Sequence, residues 1–192
     1  MEAISEIDRS IGNRVRTLRS TRGLTLDDLA ESSGVSRAML SRIERGESSP
    51  TAQLLNRVCG GLGVTLSALL AAADPPASPL RRRKDQPIWL DPGVGYKRRV
   101  VSPPGTGSPA EIVEVEFPSG AAVAFENLHL AGVDQHVWVL DGAMEVAAGD
   151  DTYRVEKGDC LHMPLDRAIR FRNPTDRAAR YAVVIARGGK AR

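Results

Sequence analysis

The segment Leu24 to Gly46, LTLDDLAESSGVSRAMLSRIERG, constrains this 192-residue chain more than any other. Leu26, Leu29 and Ala30 recur at helical spacing and form one buried face. Gly34 follows, where a left-handed residue turns the chain at little steric cost. Ser36 is placed to cap a second helix, which buries Leu40 and Ile43. The spacing predicts two short helices joined by a tight turn, a helix-turn-helix whose second helix fits a DNA major groove.

A motif of this size needs a core around it, and 42% hydrophobic residues supply one. No apolar run approaches the ~20 residues of a membrane span, so no membrane partner is expected. The N-terminal MEAISE is polar and acidic, unlike a secretion signal. Cys59 and Cys160 lie one in each half with no disulfide framework, which fits a reducing cytoplasm. The net charge of +2 does not argue for nucleic acid by itself; the placement of the charges does.

Residues 1–72 read as helical. Ile11, Val15 and Leu18 mark a first helix, and the two motif helices follow. Thr51 to about Leu62 is a fourth, entered after Pro50 and closed by Gly60, Gly61 and Gly63. Val64 to Ala72 is a fifth. Asp74-Pro75-Pro76-Ala77-Ser78-Pro79 cannot continue a helix, and residues 73–87 read as a linker. Its basic run Arg81-Arg82-Arg83-Lys84 is either a DNA-phosphate contact or a solvated stretch. After Trp89 the period changes to alternation. Seven strands are predicted: Glu111–Phe117, Gln135–Leu140, Ala143–Ala147, Tyr153–Val155, Cys160–Met163, Ala168–Arg172 and Tyr181–Ile185. Gly, Pro and Asp/Asn turns separate them at close spacing, the pattern of an antiparallel sandwich or small barrel over residues 88–192.

Residues 8–70 resemble the XRE family of phage-repressor-like helix-turn-helix proteins. The matching residues are Leu18-Arg19, Arg22-Gly23-Leu24-Thr25, Leu29-Ala30, Ser33-Gly34-Val35-Ser36, Leu40-Ser41-Arg42-Ile43-Glu44-Arg45-Gly46 and Pro50-Thr51. The resemblance implies a five-helix domain that binds a roughly palindromic DNA operator as a homodimer. Ser36, Arg37, Ala38, Ser41 and Arg42 then fall on the groove face, because Leu40 and Ile43 face the core. Arg suits guanine through two hydrogen bonds, and Ala38 suits a thymine methyl. Leu26 stands where many relatives carry Gln and is assigned no contact. Thr51 opens a helix whose amide end either holds a phosphate or is simply capped. The resemblance also implies a partly buried ion pair, Arg19 with Glu44, that fixes the recognition helix.

Residues 88–187 resemble the cupin family of small double-sheet barrels. The resemblance rests on Gln135-His136-Val137-Trp138-Val139-Leu140-Asp141-Gly142 and on Gly158-Asp159, Pro164 and Asn173. Metal-binding cupins use two His, a Glu and a further His; the corresponding positions are His129, Ala131, Gln135 and Ile169. Ala and Ile cannot coordinate, and Gln is a weak neutral ligand, so no metal or other cofactor is implied. Cys160 and His162 share a strand face as a rival pair, more often a packing arrangement. His136 points away from the interior.

Alternation instead places Gln135, Val137 and Val139 on one strand face, and Ile169 with Phe171 on another. With His129 these line a mostly apolar effector pocket or a packed core. No Lys or Arg falls on those faces, so an uncharged or weakly polar ligand is expected. The fold expected is α+β in two domains, a five-helix helix-turn-helix unit and a jelly-roll-like antiparallel cupin. The function expected is a cytoplasmic DNA-binding transcription regulator, not an enzyme, whose cupin dimerises and senses a small molecule. The alternatives are a metal-dependent cupin oxygenase or isomerase fused to a DNA-binding domain, and a cupin serving only to dimerise.

Overall fold

The computed structural model describes residues 6–70, 78–125 and 132–187. Five α-helices come first: α1 (Glu6–Thr21), α2 (Leu26–Ser33), α3 (Arg37–Glu44), α4 (Ala52–Leu62) and α5 (Leu66–Leu70). Local chemistry sets their ends. Thr25 and Asp28 form a capping box on α2, and Gly34 closes that helix at φ 63°. The Ser36 hydroxyl accepts from the Met39 amide, and the Thr51 hydroxyl from the Leu54 amide. Gly63 ends α4 at φ 62°.

The helices pack through Ile11, Val15, Leu29, Leu40, Ile43 and Leu55, all buried. Gly12 lets α1 approach the end of α3; an added Cβ there would collide with the Ile43 carbonyl oxygen. The same two helices are tied by Arg19, whose Nε and Nη2 donate to Glu44 Oε1 and Oε2 at 2.6 and 2.8 Å. Arg19 Nη1 also donates to the Leu24 carbonyl at 2.8 Å.

Ten strands are described after a short 3-10 turn at Arg83–Asp85: β1 (Ile88–Leu90), β2 (Lys97–Val100), β3 (Ala110–Phe117), β4 (Ala122–Phe125), β5 (Val133–Asp141), β6 (Ala143–Ala148), β7 (Asp151–Glu156), β8 (Cys160–Pro164), β9 (Ile169–Arg172) and β10 (Ala179–Arg187). They form two antiparallel sheets, β1-β2-β3-β10-β5-β8 and β4-β9-β6-β7. The architecture is an open double sheet rather than a closed barrel. β3 and β5–β10 match the expected strands; β1, β2 and β4 were not anticipated. They are three or four residues long. The inner faces carry Phe117, Val137, Val139, Met144, Phe171 and Tyr181, all buried. Among the described residues no helix is long and apolar enough to cross a membrane.

The two domains share polar contacts. The Asp91 carboxylate, 1% exposed, accepts from the Ala52 amide at 2.6 Å with one oxygen and from the Val94 amide at 2.6 Å with the other. A residue between β1 and β2 thus caps α4 from the other domain. Arg98 of β2 donates to Ser67 Oγ of α5 at 2.6 Å, and Thr65 Oγ1 donates to Glu111 Oε2 of β3 at 2.8 Å.

Two outcomes are expected. Glu44→Ala strands Arg19, whose side chain is 15% exposed, and lowers stability by about 3 kcal/mol. Urea unfolding of the full chain checks this, and an unchanged midpoint would contradict it. Asp91→Ala removes the acceptor of one buried and one part-buried amide and costs about 1–2 kcal/mol, with Asp91→Asn falling between it and the parent. Thermal unfolding orders the three; equal stabilities would deny the carboxylate a role at the junction.

Candidate functional site

Helix α3 carries the first candidate surface. Leu40 and Ile43 are buried beneath it, and Arg37, Ala38 and Arg42 are exposed on its far side. Ser41 is half-buried, and its hydroxyl accepts from Arg45 Nη1. Arg37 Nε lies 3.1 Å from Asp27 Oδ1 with both side chains more than 60% exposed, a pair that solvent screens and a competing anion displaces at little cost. Ser36 is occupied as the α3 N-cap. The turn before α3 is clamped from behind by Arg57 of α4, whose Nε donates to the Ser33 carbonyl at 3.3 Å and whose Nη2 donates to the Gly34 carbonyl. Arg57 and Arg45 were not singled out in the sequence. Their roles depend on which carbonyl or carboxylate the fold sets beside them.

Of the two readings of the α4 terminus, the cap is the one the geometry displays. Two of its first amides are taken: Asp91 accepts the Ala52 amide, and the Thr51 hydroxyl accepts the Leu54 amide. Gly93 also lies against Thr51, so that an added Cβ would fall 3.1 Å from its methyl. A buried carboxylate at that end repels a second anion, which leaves Thr51 as a cap. The basic run shows mixed engagement. Arg83 Nη1 lies 3.7 Å from Glu114 Oε2, and Arg82 and Lys84 are exposed.

The second candidate is a cavity at the domain junction. The strand parity is as read from alternation: Gln135, Ile169 and Phe171 face inward and line it, while Arg170 and Arg172 point to solvent. Val137 and Val139, both 0% exposed, are packed core and do not line the cavity, which corrects the expected pocket. His129 lies outside the described residues. Asn56, Thr65 and Leu66 complete the wall from the helical domain. Phe171 stacks on Tyr181 with rings 5° from parallel, and Phe125 meets Phe171 edge-on.

The inward faces of β5 and β9 carry no Lys or Arg, as read from the alternation, but the cavity wall extends to β2, a strand that was not anticipated. Tyr96 and Arg98 line the cavity, at 2% and 8% exposure. Burial pushes the Tyr96 phenol well above its ordinary range, with Arg98 acting against that shift. The signal was present in the alternation of Tyr96, Arg98 and Val100. The exposed Lys97 and the neighbouring Arg99 obscured it, because three consecutive basic residues read as solvated.

The donor chemistry does not suit a metal. Of the positions that the cupin resemblance assigns, Ala131 and Ile169 bear no ligand atom and Gln135 offers an amide. Cys160 and His162 are exposed on the outer face, where His162 faces His136 at 4.9 Å between ring centres and Asp134 at 3.4 Å. Among the described residues no group of three His, Cys, Asp or Glu side chains is arranged to hold an ion.

Comparison with known proteins agrees with this build. A helix-turn-helix domain model matches residues 10–73, and a cupin domain model matches residues 113–185. The HTH-type transcriptional regulator SutR of Escherichia coli is 29% identical over 182 residues, covering 95% of this chain and 97% of that protein. The crystal structure of an HTH_3 family transcriptional regulator from Vibrio cholerae superposes with a TM-score of 0.78 at 28% identity, covering 95% of this chain and 98% of that one. The immunity repressor protein of Bacillus phage phi105 is 38% identical over 61 residues, 32% of this chain and 42% of that protein. Because relatives of the same two-part build align along almost their whole length, the chain belongs to the XRE-type helix-turn-helix regulators that carry a C-terminal cupin domain.

Proposed function

We propose that this regulator acts as a cytoplasmic homodimer on a double-stranded operator, without catalytic activity, and that its cupin domain joins the dimer and responds to a small molecule. The observation that carries the DNA reading is the α3 surface. Arg37, Ala38 and Arg42 project from it, with Ser36 and Ser41 alongside, over a rigid base of Leu40, Ile43 and the Arg19–Glu44 pair. Two such helices meet successive major-groove faces when they lie roughly 34 Å apart. A ligand controls that separation only by favouring one relative placement of the two DNA-binding domains. The cavity supports the sensing role, since both domains contribute to its wall.

A metal-dependent oxygenase or isomerase would need ligands that Ala131, Gln135 and Ile169 do not offer. Stoichiometric iron, manganese, nickel or zinc in the purified protein would restore that reading. A cupin that only dimerises would give no saturable thermal shift with any small molecule.

The DNA reading is tested with Arg37→Ala. Selection from random duplexes supplies the operator sequence. The substitution should cost about 1–3 kcal/mol on that operator and little on a scrambled duplex at the same salt concentration. An equal loss on both would reduce Arg37 to a phosphate contact.

A further inference from the structure

Three donors around the junction cavity have no hydrogen-bond partner among the described residues: Asn56 Nδ2, Tyr96 Oη and Arg98 Nε. Each belongs to a side chain more than nine-tenths buried, and all three residues line the same cavity. Buried polar groups are almost always satisfied, so three orphans around one space point to a missing acceptor. Arg98 sharpens the case. Its Nη2 is satisfied by Ser67, but it forms no ion pair among the described residues. A buried guanidinium without a counter-ion is unfavourable unless an anion completes it. The nearby carboxylates are engaged elsewhere. Asp91 accepts from two amides, and Glu111 accepts from Thr65 and lies 3.8 Å from Arg187.

We propose that this cavity binds a small carboxylate, held by Arg98, Tyr96 and Asn56 and so bridging the two domains. The proposal rests on the effector-sensing reading above and names the chemistry of the effector. A carboxylate supplies acceptors only, which matches a wall whose unsatisfied atoms include a guanidinium N–H and an amide N–H. A tyrosine phenol is protonated at neutral pH, and burial only strengthens that, so Tyr96 donates as well. The rest of the wall is apolar, with Phe125, Ile169 and Phe171 available to a short carbon chain. The space is small, which suits a short-chain acid. Asn56 belongs to α4, which also clamps the helix-turn-helix turn through Arg57. A ligand held there acts on the element that supports α3.

The test is a thermal-shift titration of the full chain with propanoate, butanoate and pentanoate, each beside its amide and its alcohol at matched ionic strength. The carboxylates should raise the melting temperature saturably, and the amides and alcohols should not. Arg98→Met should abolish the shift. Tyr96→Phe keeps the packed ring, so the unliganded melting temperature should hold while apparent affinity falls roughly tenfold; this variant carries the test if Arg98→Met does not fold. Arg172→Gln, on an exposed side chain outside the cavity, should respond like the parent. Equal shifts from amides and alcohols, or a carboxylate shift that survives both cavity variants, overturn the carboxylate assignment and leave effector sensing standing. No shift from any probe overturns the assignment and the cavity's sensing role together.

Discussion

Asp91 sets the relation between the two halves of this protein. Its carboxylate is almost wholly buried, and its two oxygens accept one amide from α4 and one from its own turn. A carboxylate at a helix N-terminus is favoured by the open amides and by the helix dipole. Here the helix and the carboxylate come from different domains. The bond that completes α4 therefore also docks the helical unit on the double sheet. Arg98 with Ser67 and Thr65 with Glu111 extend the seam. The cavity is a consequence of this docking, because Asn56, Thr65 and Leu66 become part of its wall.

The recognition helix is held from two directions. On one side Gly12 and the Arg19–Glu44 pair draw α1 against the end of α3. On the other, Arg57 of α4 grips the carbonyls of the turn that precedes α3. α4 thus touches the turn at one side and the sheet domain at the other. Anything that shifts α4 against the sheets is felt at the turn, through packed and hydrogen-bonded groups rather than through a flexible linker. A ligand exerts that shift only to the extent that it binds one arrangement better than the other.

Much of the helical domain was legible in the sequence because its signals are local. Gly34 at a left-handed turn, Ser36 at an N-cap and the periodic Leu29, Leu40 and Ile43 each act within a few residues. The longer strands were legible for the same reason, and the alternation of Gln135, Val137 and Val139 gave their inward face correctly. β1, β2 and β4 were not. β2 has four residues, three of them basic, and its inward Arg98 is stabilised by a serine far away in the chain. The error over the cavity's charge follows from that omission. Val137 and Val139 were misassigned for a related reason: alternation reports which face is buried, not whether the space beside it is filled.

The sequence by itself determined the helix-turn-helix geometry, the two-domain α+β build and the residues of α3 that face outward. Periodicity, caps and turn residues act over one or two turns of chain, and the chain carries them openly. Only the tertiary structure decided how the domains meet. It set Asp91 against the α4 terminus, where the carboxylate accepts the Ala52 amide beside the Thr51 cap. It also gathered Asn56, Tyr96 and Arg98 around one cavity from segments that no local pattern connects. Those placements depend on long-range docking, where a group's partner is whatever the fold brings within hydrogen-bond distance.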